Sequence, residues 1–138
     1  MDKTTALDQT GLKPKILLVE DNDENKDVTK LILKDHFMVS SASDGHTAIT
    51  KATNEKYSAV LMDIKLGRGM DGTEVKTQLR LLPCYHDVPI IAITAYALRG
   101  DRDKYLQQGF DSYLAKPFSR EDLVNVVFDA ISMKYVEE

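Results

Sequence analysis

The chain predicts an open α/β fold, a five-stranded parallel sheet doubly wound with five helices. Three observations point there. Its apolar residues gather in five short runs that are continuous rather than alternating, as in strands covered on both faces. Each run is followed by a stretch whose apolar residues recur with helical spacing. At 138 residues and 43% hydrophobic content, the chain suits one domain with a substantial core. Strictly alternating strands and helices imply parallel pairing through right-handed crossovers. For five strands of this class the natural order is 2-1-3-4-5, which makes strands one and three neighbours.

Each element has its own signal. Lys15–Glu20 (KILLVE) is an apolar run closing in acid, the first strand. Asn22 and Asp23 can cap the helix that follows, with Val28, Leu31 and Ile32 on its inner face and Leu33 beside them. Phe37–Ala42 is more polar, as expected of an edge strand. Asp44-Gly45 turns the chain into a helix over Thr47–Asn54, with Ala48, Ile49 and Ala52 inward. Ser58–Asp63 (SAVLMD) is strand three. A glycine-rich loop, Gly67-Arg68-Gly69, leads through Asp71-Gly72 to a helix carrying Val75, Leu79 and Leu82, ended by Pro83. Val88–Thr94 is strand four, and Tyr96–Gln108 is a helix stopped by Gly109 at its C′ position. Phe110–Ala115 is strand five. Ser119 caps a last helix that has Glu121 and Asp122 in its first turn and Leu123, Val124, Val127 and Ile131 along its buried side.

Composition narrows the function. Lys and Arg number 18 against 22 Asp and Glu, a net charge of −4 without a basic run, so a nucleic-acid surface is not expected. Cys84 is the only cysteine, so no internal disulfide can form, and a loop thiol in a reducing compartment is the expectation. No apolar stretch approaches the roughly 18 residues of a membrane span. Residues 1–13 have no apolar centre and read as a flexible tail rather than a signal peptide, which leaves 14–138 as the domain. No membrane partner and a cytoplasmic location follow as expectations.

The chemistry lies at strand ends. With strands one and three adjacent, Glu20, Asp21 and Asp63 meet at the C-terminal edge of the sheet, where open α/β folds bind ligands. Three carboxylates so close repel one another unless a cation lies between them. Without cysteine or nearby histidine, such an all-oxygen set selects Mg²⁺ or Mn²⁺, ions that keep several waters and share a ligand phosphate. Lys116 closes strand five and can neutralise an incoming phosphoryl oxygen. Thr94 ends strand four, where its hydroxyl and the Ala95 N–H can donate to another. Asp63 is the candidate nucleophile for a phosphoryl group. Taken singly, charged residues at strand ends are commonplace and Tyr113 is an ordinary half-buried strand aromatic. The combination carries the signal, with Asp21 to Asp63 spanning 42 residues, Asp63 to Thr94 31, and Thr94 to Lys116 22.

The motifs VEDN at 19–22, LMDI at 61–64, MDG at 70–72, TA at 94–95 and YLAKPF at 113–118 resemble those of the response-regulator receiver domain of two-component signalling, over about Lys15 to Met133. The resemblance implies a flavodoxin-like topology. It makes Glu20 and Asp21 servants of a Mg²⁺ site, Asp63 the phosphoacceptor, and the Lys65 backbone carbonyl a further metal ligand. Thr94 and Lys116 then hold the phosphoryl group, Tyr113 is the aromatic switch, and the Lys116–Pro117 bond is expected to be cis. It further implies a histidine kinase or histidine phosphotransfer protein as donor, and a downstream protein target met through helix four, strand five and helix five, from Ala97 to Ile131. Two departures stand out. The loop Leu66-Gly67-Arg68-Gly69 lacks the family's usual proline and is one residue longer, and Glu20 replaces a frequent aspartate.

Other functions fit less well. A flavin-mononucleotide carrier would have its phosphate repelled by Glu20-Asp21. A phosphohydrolase of the aspartyl-phosphate type would have an acid where Lys65 stands, so turnover is not expected. A phosphorylation-independent interaction module would not need Asp63, Thr94 and Lys116 together, and a receiver belonging to a hybrid kinase is the remaining alternative. Lys65 and Tyr96 frame the approach of water to Asp63 and neither orients it, which predicts a slowly hydrolysed acyl phosphate.

Overall fold

The computed structural model describes residues 13–67, 69–95 and 101–136. Of the expected tail, residues 1–13, the first twelve lie outside them, as do Arg68, Tyr96 and Ala97. Ten elements follow in strict alternation: β1 (Lys15–Val19), α1 (Asp23–Leu33), β2 (Met38–Ala42), α2 (Gly45–Asn54), β3 (Ala59–Asp63), α3 (Gly72–Arg80), β4 (Ile90–Thr94), α4 (Asp101–Gln107), β5 (Ser112–Ala115) and α5 (Arg120–Val136). The strands form one parallel sheet in the order β2-β1-β3-β4-β5. Fold class, strand order and helix count agree with the expectation.

Alternate side chains of each strand enter opposite layers. Leu17, Val19, Val60, Met62, Ile90 and Ala92 pack with Ala48 and Ala52 of α2, Val75 and Leu79 of α3 and Tyr105 of α4. Ile16, Leu18, Ala59, Leu61, Ile91 and Ile93 pack with Leu33 of α1 and with Leu123, Val127 and Ile131 of α5. Two helices therefore cover one face and three the other. The central strands are buried along their whole length, which is why their sequences run apolar up to their last residues, Asp63 and Thr94.

Side-chain caps place the helix starts. Asn22 accepts from the Asn25 N–H, Asp44 from Thr47 and Asp71 from Glu74. Ser119 accepts from the Asp122 N–H at 3.0 Å. Gly109 follows α4 at φ 103°, the left-handed C′ conformation its position called for.

Three expectations need correction. Val28 and Leu31 of α1 are each 55% exposed, while Thr29 and Leu33 are buried and Ile32 is half-buried. At about 100° per residue, Thr29 lies roughly 40° from Leu33 around the helix, but Val28 lies about 140° away and Leu31 about 160°. Once Leu33 is seated beneath the sheet beside Phe37, the other two must face out. Leu82 packs on the core from the turn after α3, since that helix ends at the Leu81 cap. Strands two to five begin one to two residues later than expected, because Phe37, Ser58, Val88 and Phe110 precede the ladder; three of them are buried nonetheless. For α4, the described helix begins at Asp101, and the expected start at Tyr96 lies outside the described residues.

Candidate functional site

The C-terminal edge of the sheet is drawn tight by rungs that run one residue past the strands. Glu20 N–H donates to the Ala42 carbonyl at 3.0 Å, Ile64 to Ile93 at 3.0 Å and Lys116 to Thr94 at 2.8 Å. Glu20 and Lys116 are thereby held on the ladder itself, and Asp63 and Thr94 are the last strand residues between them. Glu20, Asp63 and Thr94 are 4%, 7% and 1% exposed. The carboxylates of Glu20, Asp21 and Asp63 each bring an oxygen to within 4.8 Å of the others. All three residues named for the cluster thus converge, and Lys116 joins them.

The Lys116 ammonium bridges two of the acids, 3.1 Å from Glu20 Oε1 and 3.2 Å from Asp63 Oδ2. The other oxygens take backbone donors: Glu20 Oε2 accepts from the Asn22 N–H at 3.1 Å, and Asp63 Oδ1 from the Lys65 N–H at 3.1 Å. Asp21 is exposed, and its Oδ2 accepts from the Gly67 N–H at 2.7 Å. The Lys116–Pro117 bond is cis, as expected.

The Lys116 ammonium by itself does not neutralise three carboxylates. Burial, reinforced by the neighbouring Asp63, pushes the Glu20 carboxyl from 4.5 up to about 7. Burial works in the opposite sense on Lys116, but the charges and hydrogen bonds of Asp63 and Glu20 outweigh it and hold the ammonium above the usual lysine value. The donor set is all oxygen, carries excess negative charge and raises the pKa of one of its own acids. That is the chemistry a hard divalent cation satisfies, so the residues fit such an ion.

Two glycines shape the cradle. A Cβ on Gly72 would lie 2.4 Å from the Asp63 carbonyl oxygen and 2.7 Å from Ile64 Cα, so only glycine lets α3 start against the end of β3. Its N–H donates to the Ile64 carbonyl at 2.9 Å. A Cβ on Gly67 would meet Asp21 Oδ2 at 2.6 Å. The MDG motif marks Gly72 without giving a reason for it, and the altered loop does not single out Gly67. Neither contact could be read from spacing, since each depends on a distance across the fold.

Tyr113 is half-buried and stacks on Tyr105 of α4, with ring centroids 5.7 Å apart and planes 19° from parallel. It pairs with Ala92, two residues before Thr94 pairs with Ala115. Lys65 is exposed, and Tyr96, its expected companion over Asp63, lies outside the described residues. A cavity of about 360 Å³ lies beside the cluster, lined by Glu20, Asp63 and Lys116 together with Asn25, Val28 and Thr29 of α1 and Pro117 and Phe118. Among the described residues, no helix is long and apolar enough to cross a membrane.

Comparison with known proteins agrees with this geometry. The family model described as the response regulator receiver domain matches residues 16–128. The chain is 35% identical over 132 residues to hybrid signal transduction histidine kinase I of Dictyostelium discoideum, covering 90% of this chain and 8% of that one. It is 33% identical over 121 residues to the signal transduction histidine-protein kinase BarA of Escherichia coli K12, covering 87% and 13%. The chain thus spans about a tenth of the length of these kinases. A 14.6 kDa protein of Leptolyngbya boryana is 32% identical and is matched over 91% of its length by 86% of this chain. Among solved structures, the receiver domain of sensor histidine kinase PA1611 from Pseudomonas aeruginosa PAO1, with a magnesium ion coordinated in its active site cleft, superposes with a TM-score of 0.79 at 40% identity, covering 87% of this chain and 98% of that one. With fold, site geometry and family model in agreement, this chain belongs to the response-regulator receiver domain family of two-component signalling.

Proposed function

We propose that residues 14–138 form a phosphorylatable receiver that takes a phosphoryl group onto Asp63 from a phosphohistidine of a histidine kinase or phosphotransfer protein. The observation that carries this reading is the Lys116 ammonium shared between Glu20 and Asp63 at the end of the central strand. An Asp63 carboxylate oxygen attacks phosphorus as the bond from phosphorus to the donor's imidazole nitrogen breaks; the donor ring enters protonated on its other nitrogen, so it leaves as neutral imidazole and Asp63 carries the acyl phosphate. The cavity beside α1 gives the donor side chain its approach. Lys116 then exchanges part of its carboxylate pairing for a phosphoryl oxygen, and the Thr94 hydroxyl donates to another.

The residues that would hold Mg²⁺ are Glu20, Asp21, Asp63 and the Lys65 carbonyl, and the ion's part when bound is to offset negative charge on the carboxylates and phosphoryl oxygens. The magnesium in the cleft of the PA1611 receiver supports that assignment. Movement of Thr94 toward the phosphoryl group draws Tyr113 inward from its stack on Tyr105, which alters the surface of α4, β5 and α5 offered to a protein target. The protein works as a signalling switch in the cytoplasm rather than as a turnover enzyme.

The test is treatment with acetyl phosphate and Mg²⁺, followed by intact mass and site mapping. Wild type should gain an acid-labile phosphoryl group on Asp63, and Asp63→Asn should gain none while keeping its fold. An undiminished gain in that variant refutes the assignment. The identity with hybrid kinases favours a second context, the receiver of such a kinase, with the same chemistry at Asp63. Transfer from a kinase module in the same chain, faster than from a separate phosphotransfer protein, would establish it.

A further inference from the structure

Asp21 differs from its neighbours in how it is held. Glu20 and Asp63 are buried on the sheet ladder, but Asp21 is exposed, and its hydrogen bond to the Gly67 backbone crosses 46 residues of sequence. At 2.7 Å this is a short, charge-assisted hydrogen bond to one carboxylate oxygen. Among the described residues it leaves the other oxygen, and the spare lone pairs of the first, for further ligands. The approach is so close that any side chain at position 67 would press on that carboxylate, 2.6 Å from its Cβ. Proline there would remove the donor altogether.

We propose that Gly67 is a positioning residue for the cation site: its N–H latches Asp21 in the orientation that brings the carboxylate to Glu20 and Asp63, and so links the β3–α3 loop to cation occupancy. The inference rests on the receiver reading above and adds to it a loop residue that ligates nothing itself. An exposed carboxylate free to sample its rotamers loses conformational freedom on binding an ion, and a latch formed beforehand removes part of that cost. Linkage then runs both ways. A bound cation that favours the latched Asp21 favours the ordered loop by the same factor.

Mg²⁺ titration of the full chain by calorimetry, with the Gly67 amide followed by NMR, tests this. Before any metal is added, Asp21→Ala should shift the Gly67 amide resonance and speed its exchange with solvent. Gly67→Pro should weaken Mg²⁺ binding about threefold to tenfold, below the 10–100-fold typical of buried outer-shell partners because this one is exposed. Gly67→Ala keeps the N–H but displaces the carboxylate, so it should also weaken binding, and it serves if the proline variant folds poorly. Wild-type binding with both Gly67 variants as tight as wild type, or a Gly67 amide indifferent to Asp21→Ala, overturns the latch and leaves the receiver reading standing. Absence of Mg²⁺ binding in wild type overturns the cation site and the latch with it.

Discussion

Removing the charge of Glu20 should make the metal-free protein more stable above neutral pH, although it deletes a member of the site. The Glu20 carboxyl is shifted from 4.5 to about 7, chiefly by burial. Between those values the folded state holds a proton that the unfolded state has released, so stability falls as pH rises through the window and levels off above about 7. At roughly 1.4 kcal/mol per pH unit, the loss comes to about 3 kcal/mol, a large share of the 5–15 kcal/mol typical of a domain. In melting temperature this is on the order of 10 °C. Lys116 adds no slope there, because its pKa is raised from 10.5 and the ammonium is charged in both states. Asp44 has a lowered pKa, set mainly by the Thr47 N–H, so its contribution is lost only in acid, as pH falls below the ordinary carboxylate value. Urea unfolding followed by circular dichroism in EDTA, from pH 4.5 to 8, reads the effect. Wild type should lose stability across the window, Glu20→Gln should lose far less, and saturating Mg²⁺ should abolish the fall in wild type alone. A flat wild-type profile in EDTA, or an equal fall in Glu20→Gln, would refute the reasoning.

Three further outcomes follow from the packing. Gly72→Ala forces a Cβ to within 2.4 Å of the Asp63 carbonyl, which should cost about 1–3 kcal/mol in urea unfolding and slow phosphorylation by displacing the end of β3. Arg80→Ala removes a guanidinium that donates to the Tyr85, Val88 and Gly109 carbonyls and pairs with Asp111 at 2.7 Å; a loss of about 2 kcal/mol is expected, with Asp63 still phosphorylated by acetyl phosphate. Leu31→Ser, at a position 55% exposed, should leave stability within about 0.5 kcal/mol, whereas Leu33→Ala should cost about 2–5 kcal/mol.

Strand order and most of the core were legible because a strand buried on both faces has little choice but to be apolar throughout. Ile16–Val19 and Ala59–Met62 carry that constraint in every residue. Helix α1 was harder, since Val28, Leu31, Ile32 and Leu33 together spread apolar side chains around much of the cylinder. Which of them turns inward is decided by what lies underneath, and Leu33 wins because it joins Phe37, Phe128 and the sheet. The Lys76 and Arg80 side chains reverse the usual reading of charge on a helix. Lys76 is buried, with its ammonium given to the Gln108 carbonyl and its pKa lowered by burial, and Arg80 spans the turns before β4 and β5. Both act on carbonyls of turns outside their own helix, which leave no periodic mark.

The site divides along the same line. Glu20, Asp63, Thr94 and Lys116 could be named from sequence because each sits where an apolar run stops, and the structure finds all four on or beside hydrogen-bonded rungs of the sheet. Their positions are set by the whole ladder, so a change in any one side chain leaves the backbones of the others in place. Asp21 lies one residue past that frame and depends on a loop glycine instead. On the proposed reading, the buried half sets where a phosphoryl group would be held, while the exposed half can change with loop sequence without unsettling the core. Substitutions between residues 64 and 71 should then move cation affinity while the nucleophile and its lysine keep their geometry.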